Sequence, residues 1–100
     1  MKIKVPKSIR IGAHNYSVAY RENMKLDDNW RGACNQRTAE ILIDPIGGET
    51  INRSFLHEVT HMIDFNYEIN LHEDDVSRLA HGIAELLESL GIELDWSDIK

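Results

Sequence analysis

Cysteine is almost absent from this sequence: Cys34 stands alone, so no internal disulfide can form and a secreted scaffold stapled by crosslinks is excluded. No apolar run approaches the roughly 20 residues needed to span a bilayer, and the opening Met1-Lys2-Ile3-Lys4-Val5-Pro6 lacks the apolar stretch of an export signal. These absences point to the cytoplasm and away from the membrane. Lys and Arg form no block beyond the scattered Lys2, Lys4 and Lys7, and the formal net charge is -6, which argues against a surface for nucleic-acid phosphates. Repeats, low-complexity segments and linkers are also missing. What is present is 100 residues, 42% hydrophobic with seven aromatics, enough for one modest core. The expectation is a single domain over residues 1–100, in which any active site must be minimal.

The first half reads as β structure, because its apolar residues alternate or cluster in short stretches between turn formers. Ile9-Arg10-Ile11 and Tyr16 to Tyr20 flank Gly12-Ala13-His14-Asn15, a hairpin turn supplied with Gly and Asn. After a polar loop around Asp27-Asp28-Asn29, Arg31 to Asp44 is expected to form a second hairpin turning near Asn35-Gln36. Its later strand is Thr38 to Ile43, ended by Pro45, Gly47 and Gly48. From about Glu49 to Tyr67 the spacing changes, since Ile51, Phe55, Leu56, Val59, Met62 and Ile63 recur at the interval of an amphipathic helix. A second helix is expected from about His72 to Leu90, with Val76, Leu79, Ala80, Ile83, Leu87 and Leu90 as its buried stripe and Gly91 as its stop. The tail, with Leu94 and Trp96, is expected to dock on the core. The class is therefore α+β, an antiparallel β-rich half followed by two helices.

The chemistry lies in His57-Glu58-Val59-Thr60-His61, an HExxH pattern. Four residues apart on a helix, two side chains differ by about 40° and sit about 6 Å apart along the axis, so both imidazoles can close on one ion. Imidazole nitrogens suit Zn2+, and Glu58, one residue further round, is placed as a general base beside an open coordination position. On a helical wheel with His57 at zero, Leu56, Val59 and Ile63 cluster at roughly 200° to 260°, so the histidines oppose that apolar stripe and face a cleft. Chance produces such a match in a sequence like this on the order of once or twice in a hundred. Its position, mid-helix and after a β-rich segment, sets it apart from chance.

A zinc site that keeps one position for water needs a third protein ligand, and Glu73, His72 and His81 are the downstream candidates. Glu73 borders the inward stripe of the second helix, which favours it by direction. An immediate antiparallel return would instead bring residues 79 to 81 alongside His61, which favours His81. Glu73 also fits a capping role, with Asn70 as N-cap and Glu73 at the third helical position.

His57 to His61, followed by Glu73-Asp74-Asp75-Val76-Ser77-Arg78-Leu79-Ala80, resembles the ImmA/IrrE-like metallopeptidases of phages and mobile elements, which are gluzincins. Their later motif has the form E-x-x-A-N-x-F-A, on whose positions Glu73, Val76, Ser77, Leu79 and Ala80 fall. Val76, Ser77 and Leu79 replace its Ala, Asn and Phe. The resemblance runs from roughly Thr50 to Leu90. It implies a small zincin-like domain, Zn2+ held by His57, His61 and Glu73, and a protein or peptide substrate, in this family a repressor or other regulatory protein.

Read as a peptidase, the chain hydrolyses peptide bonds with zinc polarising the carbonyl and Glu58 moving the water's proton. The strand Thr38 to Ile43 would pair with an extended substrate if it lies at a sheet edge. For an oxyanion-stabilising donor, His81, His72 and Tyr67 are candidates. Asp64 would accept a hydrogen bond from a ligand histidine or simply face solvent. Cys34 reads as a small buried hydrophobe rather than an inhibitory thiolate, and His14 as solvated. The alternative is a zinc-stabilised binding or regulatory module of phage or prophage origin that cleaves nothing.

Overall fold

The computed structural model describes residues 1–22, 32–45 and 51–100. The expected polar loop at Asp27 to Asn29, the Gly47-Gly48 stop and the first helical residues Glu49 and Thr50 lie outside them. In chain order the described elements are β1 (Lys2–Lys4), β2 (Ser8–Ile11), β3 (His14–Tyr20), β4 (Gly32–Asn35), β5 (Glu40–Ile43), α1 (Ile51–Tyr67), α2 (Glu73–Ser89) and β6 (Glu93–Asp95). This is the α+β arrangement expected, a β-rich half followed by two helices. No helix among the described residues is long and apolar enough to cross a membrane.

The first hairpin is tighter than the spacing of its turn formers suggests. Ile11 pairs with His14, which leaves only Gly12 and Ala13 as the loop. Both have positive φ, 58° and 68°, the mirror-image turn whose twist matches that of the strands it joins. The second hairpin turns through 36–39, where the Asn35 side-chain oxygen accepts from the Arg37 and Thr38 amides and Ala39 takes φ 54°. Its return strand starts at Glu40, two residues later than the apolar pattern indicates.

These strands form one sheet in the order β2-β3-β5-β4. Both hairpins are antiparallel, but β3 and β5 run parallel, Ser17 beside Glu40 through Tyr20 beside Ile43. Alternation then sends Tyr16 and Val18 of β3, with Ile41 and Ile43 of β5, to one buried face. Phe55 and Met62 of α1 fill the space above them, joined by Val5 and Ile99 from opposite ends of the chain. The tail docks as expected. β6 pairs in parallel with β1, and Trp96 meets Phe55 edge-on at 5.1 Å between ring centroids while its indole N–H donates to Asn52 Oδ1 at 2.7 Å.

Each helix buries only part of the stripe its periodicity indicated, Phe55 and Met62 in α1 and Val76 and Ala80 in α2. In α1 the buried positions are Phe55, Glu58, Thr60 and Met62, while Leu56 and Val59 are half-buried and Ile63 is exposed. The reason is that α1 has two neighbours, the sheet on one side and α2 on another, and the sheet takes the Phe55-Met62 line. In α2, Val76, Ala80 and Ala84 are buried whereas Leu79, Ile83 and Leu90 are exposed. Its apolar residues span about 160° of the wheel, more than α1 alone covers. The small Ala80 and Ala84 line the side on which the helices approach each other.

Asn66 ties α1 to the first hairpin. Its amide nitrogen donates to Tyr16 Oη at 2.9 Å and to the Met62 carbonyl at 2.7 Å, and its oxygen lies 2.9 Å from His14 Nδ1, so His14 has a protein partner rather than solvent alone. A Cβ on Gly12 would fall 2.6 Å from Asn66 Cβ. Gly12→Ala is therefore expected to lower stability by about 2 kcal/mol or more, through the left-handed φ and the displaced Asn66. Ala13→Gly, which only relieves a positive φ, is expected to be neutral or stabilising by a few tenths to about 0.5 kcal/mol. Urea unfolding of the two variants measures both.

Candidate metal centre

His57 and His61 project from the middle of α1, one turn apart, with their Nε2 atoms 3.2 Å from each other and the rings edge to face. Glu73 is the first residue of α2. The expected cap, Asn70 with Glu73 at the third position, is not the one formed. His72 is the N-cap and the carboxylate of Asp75 accepts its N–H at 3.3 Å. Because Asp75 takes the capping role, the Glu73 side chain is released to point along α1. Its Oε1 lies 2.7 Å from His57 Nε2 and its Oε2 3.0 Å from His61 Nε2.

These three residues form a group whose ligand atoms all lie within 4.8 Å of one another. A tetrahedral zinc with N and O ligands near 2.0–2.1 Å has donor-to-donor edges of about 3.3 Å, close to the separations between these atoms. Two chemistries satisfy the geometry. Either both imidazoles carry Nε2 hydrogens and donate to the carboxylate, or all three groups turn lone pairs to one cation. The donor set, two imidazoles and a carboxylate, fits Zn2+ and leaves a fourth position for water.

Glu58 shares the cleft but not the cluster. It is buried against β4, where a Cβ on Gly32 would come within 3.2 Å of its Cγ and Oε2. Glycine at 32 thus makes room for the carboxylate. The Cys34 thiol donates to that carboxylate, a role beyond that of a small buried hydrophobe, and Cys34 stands outside the cluster of His57, His61 and Glu73. Burial pushes the Glu58 carboxyl above the usual range and Glu73 adds to this, while the Cys34 hydrogen bond and the nearby histidines pull the other way. Burial, together with the charge and hydrogen bond of Glu58, pushes the Cys34 thiol up to about 12. It therefore stays protonated as a donor.

Gly32, Cys34 and Gln36 form one wall of the cleft and Arg53, His57, His61 and Phe65 the other. The strand beside it is β4, at the edge of the sheet, and not the Thr38 to Ile43 segment, which lies between β3 and β4. Among the candidate residues of the sequence, His81 turns back to the carbonyl of Ser77 at 3.2 Å and stays exposed, and Tyr67 and His72 do not line the cleft. Arg53 does, one turn before His57 on the same face, and that i, i+4 spacing was the available signal for it.

Asp64 bonds to the interhelix connection. Its Oδ1 accepts the Leu71 N–H at 3.1 Å, and its carbonyl accepts the Ile69 N–H at 3.2 Å. The connection is tight, with Glu68 and Asn70 both at positive φ, 52° and 67°. Asp64 thus holds the segment that delivers Glu73.

No known family model matches this chain, and no curated protein or solved structure matches it either. The functional reading rests on the site itself.

Removing the Asp64 acceptor is expected to cost about 1–2 kcal/mol and to speed amide exchange at Leu71 at least several-fold. Asp64→Asn, which keeps an oxygen at the same place, is expected to stay near wild type. Hydrogen exchange of Asp64→Ala and Asp64→Asn side by side measures the difference.

Proposed function

We propose that the chain is a zincin-type metalloprotein in which His57, His61 and Glu73 hold Zn2+. Within that class the reading supported best is a peptidase hydrolysing peptide bonds in a protein or peptide substrate. One observation carries it: the Glu73 carboxylate reaches both Nε2 atoms of the HExxH histidines from a different helix, 16 residues beyond His57.

Zinc, when bound, lowers the pKa of water and polarises a carbonyl. The remaining steps belong to the chain. Glu58, buried on the cleft wall with Cys34 donating to it, takes the water's proton and returns one to the leaving amine. The edge strand β4 offers main-chain groups to an extended substrate, and Arg53 supplies a cationic donor on the opposite wall. The resemblance of His57 to His61 and Glu73 to Ala80 to the ImmA/IrrE-like gluzincins supports the same ligand set and a regulatory protein as substrate, and the lone Cys34 supports a cytoplasmic setting.

A second reading has its own observation. The three ligands join α1 to α2, so an ion there would staple the two helices and stabilise a non-catalytic binding module. Catalysis separates the two.

Purified protein is expected to hold one zinc per chain, lost in His57→Ala and His61→Ala, weakened in Glu73→Ala by more than the roughly 100-fold that loss of a mere hydrogen-bonding neighbour of a ligand can cost, and unchanged in His81→Ala. Elemental analysis and competition with a chromogenic chelator read this out. Saturating zinc should raise the unfolding free energy by about 2.7 kcal/mol at one hundred times the dissociation constant. Glu58→Gln is expected to keep zinc and fold while losing at least about 100-fold in cleavage of a peptide library. Zinc-loaded wild type that cleaves no peptide would favour the module, and metal-free wild type that takes up no zinc would defeat both readings.

A further inference from the structure

The row of α1 that carries the two histidines continues past them in both directions. Arg53, His57, His61 and Phe65 follow one another at the four-residue interval, and all of them line the cleft. A single exposed Arg or Phe is ordinary on a protein surface. Here the pair flanks the candidate metal centre evenly, each about 9 Å along the helix axis from the midpoint of His57 and His61.

The two ends of the row differ in chemistry. Arg53 is exposed and makes no hydrogen bond or ion pair among the described residues. No other Lys or Arg among the described residues lines the cleft. Apart from Glu58 and Glu73, the acidic groups there are Asp64, whose carboxylate holds the Leu71 N–H, and Glu68, which follows Phe65 at the far end. In a chain of net charge -6, a negative group on a bound molecule thus meets repulsion towards Glu68 and an unpaired guanidinium at Arg53. Phe65 is the largest apolar side chain lining the cleft and is 52% exposed.

Direction refines the spacing. Helical side chains lean towards the N-terminus of their helix, so Phe65 leans back towards His61 whereas Arg53 leans away from His57. The edge strand β4 on the opposite wall favours an extended peptide, which advances about 3.3 Å per residue. From a bond held over the histidines, such a peptide reaches Arg53 with its residue about three places away and Phe65 with its residue about two places away on the other side.

Resting on the peptidase reading of this cleft, we propose that Arg53 and Phe65 determine its specificity. The cleft selects an extended segment with an Asp or Glu about three residues from the scissile bond and a large apolar side chain within about two residues on the other side. The Arg53 guanidinium pairs with the acidic side chain, and the Phe65 ring covers the apolar one.

Short peptides capped at both ends carry the test, each with Glu, Lys or Ser about four residues from a Leu or Ser, in both orders along the chain. Binding is measured by fluorescence polarisation on the Glu58→Gln protein, and cleavage by mass spectrometry on zinc-loaded wild type. The Glu-and-Leu peptide is expected to be bound and cut at least about 3-fold better than its Lys counterpart, with the advantage shrinking as salt is raised. Arg53→Lys is expected to keep that preference and Arg53→Glu to reverse it, with zinc content and far-UV spectrum unchanged. Phe65→Ala is expected to lose at least about 3-fold of the preference for Leu over Ser while leaving the preference for Glu over Lys intact. Indifference to the peptide's charge, or a preference for Glu that survives Arg53→Glu, overturns the role of Arg53. A preference for Leu that survives Phe65→Ala overturns the role of Phe65. Selective binding without cleavage defeats the peptidase reading and leaves recognition by these residues standing, whereas cleavage without selection does the reverse. Neither binding nor cleavage of any peptide overturns both.

Discussion

A single carboxylate joins the two helices at the candidate metal centre. Glu73 sits at the first position of α2, and its two oxygens reach the Nε2 atoms of both histidines of α1. For that to happen, α2 must start at residue 73, its cap must be made by another group, and the connection from Tyr67 must turn back within five residues. Asp75 provides the cap, Asp64 holds the turn, and two non-glycine residues accept left-handed backbone to complete it. Such strain, about 1 kcal/mol or more at each position, persists only where the surroundings over-determine it. Here the small Ala80 and Ala84, buried in the fold, let α2 lie close beside α1.

The second carboxylate has the opposite problem. Glu58 is buried, and an ionised carboxylate out of water is costly unless something replaces the lost hydration. The Cys34 thiol donates to it and the neighbouring imidazoles act favourably, while Gly32 leaves it space. This explains why β4 begins Gly-Ala-Cys: side chains larger than these would crowd the carboxylate or cap the cleft. The two acidic residues thus divide by environment, Glu73 exposed between two imidazoles and Glu58 buried in the cleft wall. That division suits the two different roles proposed for them.

Local chemistry was readable wherever a short range of sequence contains its own cause. The HExxH spacing puts His57 and His61 on one face of any helix, and Gly12 marks the first turn because a left-handed residue is needed there. The docking of Trp96 followed from an apolar tail with nowhere else to go. The parallel pairing of β3 with β5 was not readable, since alternation specifies which face is buried and leaves strand neighbours and direction open. The buried stripes of α1 and α2 were only partly legible, Phe55, Met62, Val76 and Ala80 being buried and Ile63, Leu79, Ile83 and Leu90 not, for a related reason. Periodicity detects an apolar arc but not how many neighbours share it, and in α2 the arc is wider than one neighbour covers. His81 and Glu73 stayed in competition as partners of the histidines because the helix spacing alone does not give the length of the turn between the helices.

From its order of residues alone this chain determined an α+β class, an HExxH helix, its two imidazoles and a carboxylate next to them, because helical geometry acts over a few residues. Tertiary structure decided which acidic group joins those imidazoles, that Cys34 serves Glu58, and that β4 rather than β5 borders the cleft. Each of these depends on where separate elements come to rest against one another, and that is set by the packing of the whole core.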